Sequence, residues 1–133
     1  MNEKLALVIE DDYDASMIFA KAMEVLGLQN EVINSGDAAL ERLQHVVPAI
    51  IILDLHLPNV VGSDILRALR ADERLIETRV VVATADPRSA ELIQPLADLV
   101  LIKPTMFSQV RDLSARLLSV PRNHGRRTAE AVD

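Results

Sequence analysis

Four short apolar segments recur along the chain, and polar stretches with helical periodicity separate them. The segments at 5–9, 49–53, 80–83 and 99–102 are rich in branched aliphatic residues and do not alternate with polar ones. This pattern is typical of strands that are buried on both faces of a parallel sheet. A fifth, weaker strand is predicted at 31–33.

The segments between these strands predict five helices. Gly27 is expected to end the first helix, Ser35 to cap the second, Pro95 to shorten or bend the fourth, and Thr105 to cap the last. The first helix is expected to bury Met17, Ala20, and Met23 or Val25. The predicted ranges are 14–26, 37–46, 63–71, 89–96 and a final helix whose apolar stripe is Val110, Leu113, Leu117 and Leu118.

Strand and helix therefore alternate five times with short connections, which predicts an α/β fold with a parallel sheet and helices on both faces. The stretch 121–133 has no apolar periodicity and is interpreted as a flexible C-terminal tail or the start of a linker, so that one domain is predicted at 1–120.

Composition narrows the functional classes. The 133 residues suit one hydrophobic core, and the absence of cysteine excludes disulfides and thiolate chemistry. The longest apolar run, 46–53, is too short to span a bilayer, so a soluble cytoplasmic protein is expected. A net charge of −6 and only three aromatic residues argue against direct binding of nucleic acid.

Chemically active side chains follow four of the predicted strands. Because ligands of open α/β sheets bind beyond the carboxyl ends of the strands, these side chains are expected to meet at one edge. They are Glu10, Asp11 and Asp12 after the first strand, Asp54 after the third, Thr84 after the fourth and Lys103 after the fifth.

Crowded carboxylates favour a shared cation, and an oxygen-only ligand set indicates Mg²⁺, with Mn²⁺ as an alternative. A remaining carboxylate can accept a phosphoryl group, whose oxygens Lys103 and Thr84 can contact. Each feature also has an ordinary structural interpretation. Adjacent acids and Asp54 can cap helices, Thr84 can belong to a turn, and Lys103 can be a surface charge.

The combination of these motifs resembles the receiver domain of two-component response regulators over residues 4 to about 119. The matching features are the segment 8–12, which ends in three acidic residues, the segment 52–58 around Asp54, Gly62 eight residues after Asp54, Thr84 thirty residues after it, and Lys103-Pro104. The resemblance implies a flavodoxin-like (βα)5 fold with a five-stranded parallel sheet in the order 2-1-3-4-5.

The resemblance also implies a metal site and an acceptor. Asp54 matches the phosphoacceptor, Asp11 a direct Mg²⁺ ligand, Glu10 a ligand through water, and the backbone carbonyl of His56 the third protein ligand. Thr84 and Lys103 match the residues that contact the phosphoryl oxygens.

The implied reaction is Mg²⁺-dependent transfer from a phosphohistidine to Asp54, followed by self-catalysed hydrolysis. The implied partner is a sensor histidine kinase or a histidine phosphotransfer protein, with output through protein contacts. A homodimer is also possible.

Two positions depart from the family pattern. Val100 stands where receivers usually carry Tyr or Phe, so activation is expected to proceed by movement of Thr84 with Ala85 and Asp86, while Val100 keeps one rotamer. The His56 side chain is unusual beside the acceptor. It is expected to point to solvent; the alternatives are that it tunes the lifetime of the phosphoryl group or binds a metal in a crystal.

Two other functions compete with a signalling module that is not itself an enzyme. A small Asp-dependent Mg²⁺ phosphatase would need a second Asp two residues after its nucleophile, and His56 stands there. A phosphorylation-independent interaction domain would be expected to have lost the acids, Asp54 or Lys103, and all are present.

Overall fold

A computed structural model describes residues 4–58 and 60–122 of the chain. Its strands are β1 (Leu5–Ile9), β2 (Gln29–Ile33), β3 (Ile50–Asp54), β4 (Arg79–Thr84) and β5 (Leu99–Ile102). All neighbouring strands pair in parallel, in the order β2-β1-β3-β4-β5. The parallel sheet and its strand order are therefore confirmed.

The five helices are α1 (Tyr13–Val25), α2 (Gly36–Leu43), α3 (Gly62–Ala71), α4 (Pro87–Ile93) and α5 (Phe107–Ser119). Short 3₁₀ helices occupy Glu73–Leu75 and Gln94–Leu96. Pro95 lies in the second of these, so the fourth helix is short, as predicted. No helix in the described ranges is long and apolar enough to cross a membrane.

The sheet is covered on both faces, and each face has its own hydrophobic core. Alternate residues of one strand point to opposite faces, so Leu7 and Ile9 pack in one core while Ala6 and Val8 pack in the other. Helices α2, α3 and α4 cover the first core, and α1 and α5 cover the second. Burial on both faces explains why β1 and the interiors of β3 and β4 are apolar at consecutive positions, whereas β2 at the edge of the sheet begins with polar residues.

Helix α1 buries only part of the face that its sequence suggested. Phe19, Ala22 and Met23 are fully buried, whereas Met17 and Val25 are about half exposed. The periodic pattern offered two overlapping apolar faces, and contact with the sheet and α5 selected the one that contains the aromatic ring. The expectation for Met17 was wrong.

Helix termini were predicted less well than helix interiors. Gly27 adopts φ +85° after α1, which agrees with its predicted role as a stop. Ser35 occupies the N-cap position of α2, but its side chain makes no capping hydrogen bond. The predicted cap of α5 by Thr105 is wrong, because Met106 is the N-cap residue. Capping depends on the direction of the preceding loop, which spacing does not determine.

A buried ionic cluster joins α3, the start of β5 and the segment after α5. The Asp98 carboxylate accepts hydrogen bonds from Arg70 Nη2 at 2.7 Å and from Arg122 Nε at 2.9 Å. It also accepts from the backbone N–H of Val80. Arg122 belongs to the segment interpreted as a tail, and its side chain is 8% exposed. The rest of that segment, 123–133, lies outside the described residues.

We predict that Asp98→Ala destabilises the fold by about 3–5 kcal/mol, because it removes the buried carboxylate that both guanidinium groups contact. Urea denaturation measures the free energy of unfolding. Asp112→Ala is the matched control, since Asp112 pairs with Arg111 at an exposed position of α5 and its loss should leave the midpoint nearly unchanged. Equal midpoints for the two variants would contradict the prediction.

Candidate functional site

Four of the predicted site residues come from the carboxyl ends of β1, β3, β4 and β5. Glu10 follows β1, Asp54 ends β3, Thr84 ends β4 and Lys103 follows β5. The register places Asp54 beside Ala83, the residue before Thr84. Parallel pairing therefore brings these side chains to one edge of the sheet, as predicted.

The loop after Asp54 is held close to the sheet by a glycine contact. The N–H of Gly62 donates to the carbonyl of Leu55 at 3.2 Å. A Cβ at position 62 would lie 2.5 Å from Leu55 Cα and 2.9 Å from the carbonyl oxygen of Asp54. Only glycine allows this approach without moving the segment that carries Asp54.

Lys103 is the cation of the site. Its Nζ donates to Glu10 Oε1 at 2.6 Å and lies 3.6 Å from Asp54 Oδ2. Burial lowers the pKa of Lys103, but the hydrogen bond and charge of Glu10 and the charge of Asp54 outweigh it and raise that pKa. The ammonium group therefore stays charged and balances part of the negative charge.

Glu10 and Asp54 are buried carboxyl groups. Glu10 is 1% exposed and Asp54 is 4% exposed. Burial, together with the hydrogen bond to Asp54, raises the pKa of Glu10 to about 7, although Lys103 acts in the opposite direction. Without a metal ion, Glu10 is thus partly protonated near neutral pH.

Three carboxylates are placed where they could hold a cation. One oxygen atom from each of Glu10, Asp11 and Asp54 lies within 4.8 Å of the others. An all-carboxylate set of this kind suits a hard divalent ion that keeps some of its waters. Asp12 has a different role, because its side chain accepts from the Ala15 N–H at 2.8 Å and caps α1.

The His56 side chain does not simply point to solvent. Its backbone N–H donates to Asp54 Oδ1 at 3.0 Å, and its ring Nε2 lies 3.2 Å from Thr84 Oγ1. Thr84 is fully buried, so the ring reaches from an exposed position to a buried hydroxyl group. The residue is exposed, as expected, and the loop after β3 also brings its ring to the end of β4, which was not predicted.

Asp86 has a structural role that was not predicted from the sequence. Its backbone N–H donates to Thr84 Oγ1 at 3.1 Å, and its side chain accepts from the Arg88 N–H and from Ser89 Oγ. The hydrogen bond from the Arg88 N–H, together with the one from Ser89, lowers the pKa of the Asp86 carboxyl group. An Asp followed by a proline at the first helical position is a recognisable helix start, so the sequence did carry this signal.

A groove of about 420 Å³ adjoins the site. Its floor is mainly apolar, and Asp12 and Lys103 stand among its lining residues. The apolar lining residues are Ala15, Ile18, Ala85 and Pro104. The site is therefore open to a partner on the side of α1 and the segment after β5.

Comparison with known proteins places most of the chain in one family. Residues 6–115 match the family model described as the response regulator receiver domain. A solved structure of a sensor protein from Polaromonas sp. JS666 is 30% identical, with a TM-score of 0.77 over 89% of this chain and 98% of that one. The family match and the structural similarity thus cover nearly the same part of the chain.

Two regulatory proteins are similar over most of the chain. A transcriptional regulatory protein of the phosphate regulon, PhoB of Rhizobium meliloti, is 32% identical over 100 residues, which cover 73% of this chain and 44% of PhoB. The DNA-binding response regulator MtrA of Mycolicibacterium paratuberculosis is 29% identical over 95% of this chain and 55% of MtrA. The chain thus spans about half the length of these relatives, and 19% of a longer Haloferax volcanii relative that is 31% identical.

We predict that Mg²⁺ binds more tightly as the pH rises from about 6 to about 8, because the ion must displace the proton that Glu10 holds below its raised pKa. For the same reason the ion-free fold loses stability as the pH rises from the ordinary carboxyl pKa through about 7. Calorimetry in buffers of different ionisation enthalpy measures the released proton.

The matched variants for this measurement are Glu10→Gln and Glu41→Gln. Glu10→Gln should weaken binding and reduce the proton release, whereas the exposed Glu41 lies outside the site and its replacement should change neither. The same pH dependence in Glu10→Gln would contradict the assignment of the proton to Glu10.

Proposed function

The chain belongs to the response regulator receiver domain family, and from this we propose that it accepts a phosphoryl group on Asp54 and signals through a phosphorylation-dependent change of conformation. The observation that carries the proposal is the state of the Asp54 carboxylate. It is 4% exposed, with one oxygen hydrogen-bonded to a backbone N–H and the other near the Lys103 ammonium.

This arrangement supports a positioned nucleophile. The bond from His56 N–H fixes one oxygen of Asp54 and leaves the other on the side of Lys103. In the proposed transfer, that oxygen forms a bond to phosphorus while the bond from phosphorus to a partner's imidazole nitrogen breaks. Lys103 remains beside the phosphoryl oxygens as a fixed positive charge, and Thr84 offers a hydroxyl donor.

The proposed cofactor is Mg²⁺, with Mn²⁺ as a substitute. Glu10, Asp11 and Asp54 would hold it together with the backbone carbonyl of His56, and the oxygen donor set fits a hard cation. When bound, a divalent ion neutralises charge on phosphoryl oxygens.

The proposed phosphoryl donor is a sensor histidine kinase or a histidine phosphotransfer protein. The apolar groove beside Lys103 and Pro104 supports a protein donor, because it offers a contact surface next to the acceptor. We propose a cytoplasmic location, because such a donor would meet the domain there. The relatives are named as transcriptional or DNA-binding regulators, but we propose that this domain itself acts through protein contacts, with residues 121–133 as a tail or linker.

The same residues weigh against a phosphatase. A phosphatase of this kind would carry a second Asp two residues after its nucleophile. His56 occupies that position here, and its ring contacts Thr84. We propose that the domain catalyses only its own phosphorylation and dephosphorylation. A phosphorylation-independent role is disfavoured because the acids, Asp54 and Lys103 are all retained at one edge.

We predict that Asp54→Asn abolishes labelling by acetyl phosphate in the presence of Mg²⁺, because an amide cannot form the acyl phosphate. Intact-mass spectrometry measures the phosphoryl group. Asp64→Asn is the matched control, since Asp64 is exposed on α3 beside Arg67, and it should label like the unmodified chain. Equal labelling of Asp54→Asn would contradict the acceptor assignment, and turnover of unrelated phosphomonoesters would favour the phosphatase.

We also predict that Asp11→Ala weakens Mg²⁺ binding more than Asp12→Ala does. Asp11 belongs to the carboxylate cluster, whereas the Asp12 side chain is engaged in capping α1. Calorimetry measures both affinities, and circular dichroism checks that α1 remains folded after loss of its cap. A larger loss of affinity for Asp12→Ala would reverse the assignment.

A further inference from the structure

The hydroxyl group of Thr84 is engaged on two sides before any phosphoryl group arrives. Its oxygen accepts from the N–H of Asp86 at 3.1 Å, and the ring Nε2 of His56 lies 3.2 Å away. Thr84 is fully buried, so water does not compete easily for these contacts. The His56 contact spans 28 residues and ties the loop after β3 to the end of β4.

A threonine hydroxyl has one proton to donate and two lone pairs. If Nε2 of the neutral ring accepts, the imidazole uses the proton that a phosphoryl oxygen on Asp54 would need. If Nε2 carries the proton, the ring occupies the second lone pair and still holds the hydroxyl in place. In both tautomers, Thr84 must break its bond to His56 before it can move toward a phosphoryl group.

The chain lacks the ring that its family usually carries near this threonine. Val100 stands three residues before Lys103 and packs against the core on the side of α2, α3 and α4. Its branched side chain has one strongly preferred rotamer and cannot swing as an aromatic ring does. The described side chain that does bring a ring to Thr84 is His56.

We propose that His56 is a latch that holds Thr84 in its resting position and that a phosphoryl group on Asp54 releases. The inference rests on the proposed function, because the phosphoryl oxygens are the competitor for the hydroxyl group. His56 is thus a positioning residue that acts through Thr84. A groove of about 180 Å³ between α3 and α4, which His56 already lines, gives the released ring a place to turn.

The latch predicts that its removal favours the activated state. Loss of one neutral hydrogen bond from the resting state shifts the equilibrium between the resting and activated states by about two- to tenfold. The variant His56→Leu should therefore bind beryllofluoride, a mimic of the phosphoryl group, about two- to tenfold more tightly in saturating Mg²⁺. The Leu variant keeps the backbone groups of residue 56 and so leaves the proposed metal ligands intact.

Two conservative variants separate the hydrogen bond from the bulk of the ring. In His56→Gln, the amide nitrogen is three bonds from Cβ, as Nε2 of the histidine ring is. The affinity for beryllofluoride should therefore return to that of the unmodified chain. In His56→Asn the amide is one bond shorter, so this variant should behave like His56→Leu. His45→Leu, at an exposed site beside Glu41, is the matched control and should leave the affinity unchanged.

Hydrogen exchange of the Asp86 amide tests the latch without any phosphoryl mimic. The Asp86 N–H donates to Thr84 Oγ1, so His56→Leu should speed its exchange and His56→Gln should restore the slower rate. Unchanged exchange and affinity in His56→Leu would overturn the latch, as would equal effects of Leu and Gln. If acetyl phosphate fails to label Asp54 while the exchange rate of the Asp86 amide still changes in His56→Leu, the proposed function is wrong. The contact between His56 and Thr84 is then still supported.

Discussion

The structure depends on the placement of two buried carboxyl groups beside one buried ammonium group. Glu10 and Asp54 are almost inaccessible to solvent, and Lys103 contacts both. Charges of like sign this close are unfavourable in a medium of low polarity, so one carboxyl group retains a proton near neutral pH and Lys103 stays charged. In the proposed function, a divalent cation takes the place of this proton, and the phosphoryl group then binds beside the cation and Lys103.

The parallel sheet makes this clustering available. Strands β1, β3, β4 and β5 all end at the same edge, so residues far apart in sequence meet there, and the two cores hold the strands rigidly in register. Gly62 brings the loop after Asp54 against Leu55, at a distance that a Cβ would not allow. The site residues are thus held at strand ends, and the loops after β3 and β4 carry the His56 ring and the Asp86 N–H that contact Thr84.

The proposed latch gives the domain two states, one in which His56 holds Thr84 and one in which Thr84 is released toward a phosphoryl group on Asp54. Asp54 is held by the His56 N–H, and the same residue's ring contacts Thr84. One loop therefore carries both the group that fixes the nucleophile and the group that engages the switch residue.

At the opposite edge of the sheet, the contact of Asp98 with Arg70 and Arg122 fixes the start of the C-terminal segment.

The apolar pattern was enough to predict the sheet, the burial of its inner strands and the edge at which the candidate site residues meet. Continuous aliphatic runs separated by helical segments are typical of strands buried on both faces, and parallel strands bring Glu10, Asp54, Thr84 and Lys103 to one edge. Local spacing left open the buried face of α1, the cap of α5 and the partner of the His56 ring, because each depends on how a loop is directed in space. The contact between the imidazole of His56 and the hydroxyl of Thr84 is visible only in the folded chain, since the two residues are 28 positions apart and no periodic pattern relates them.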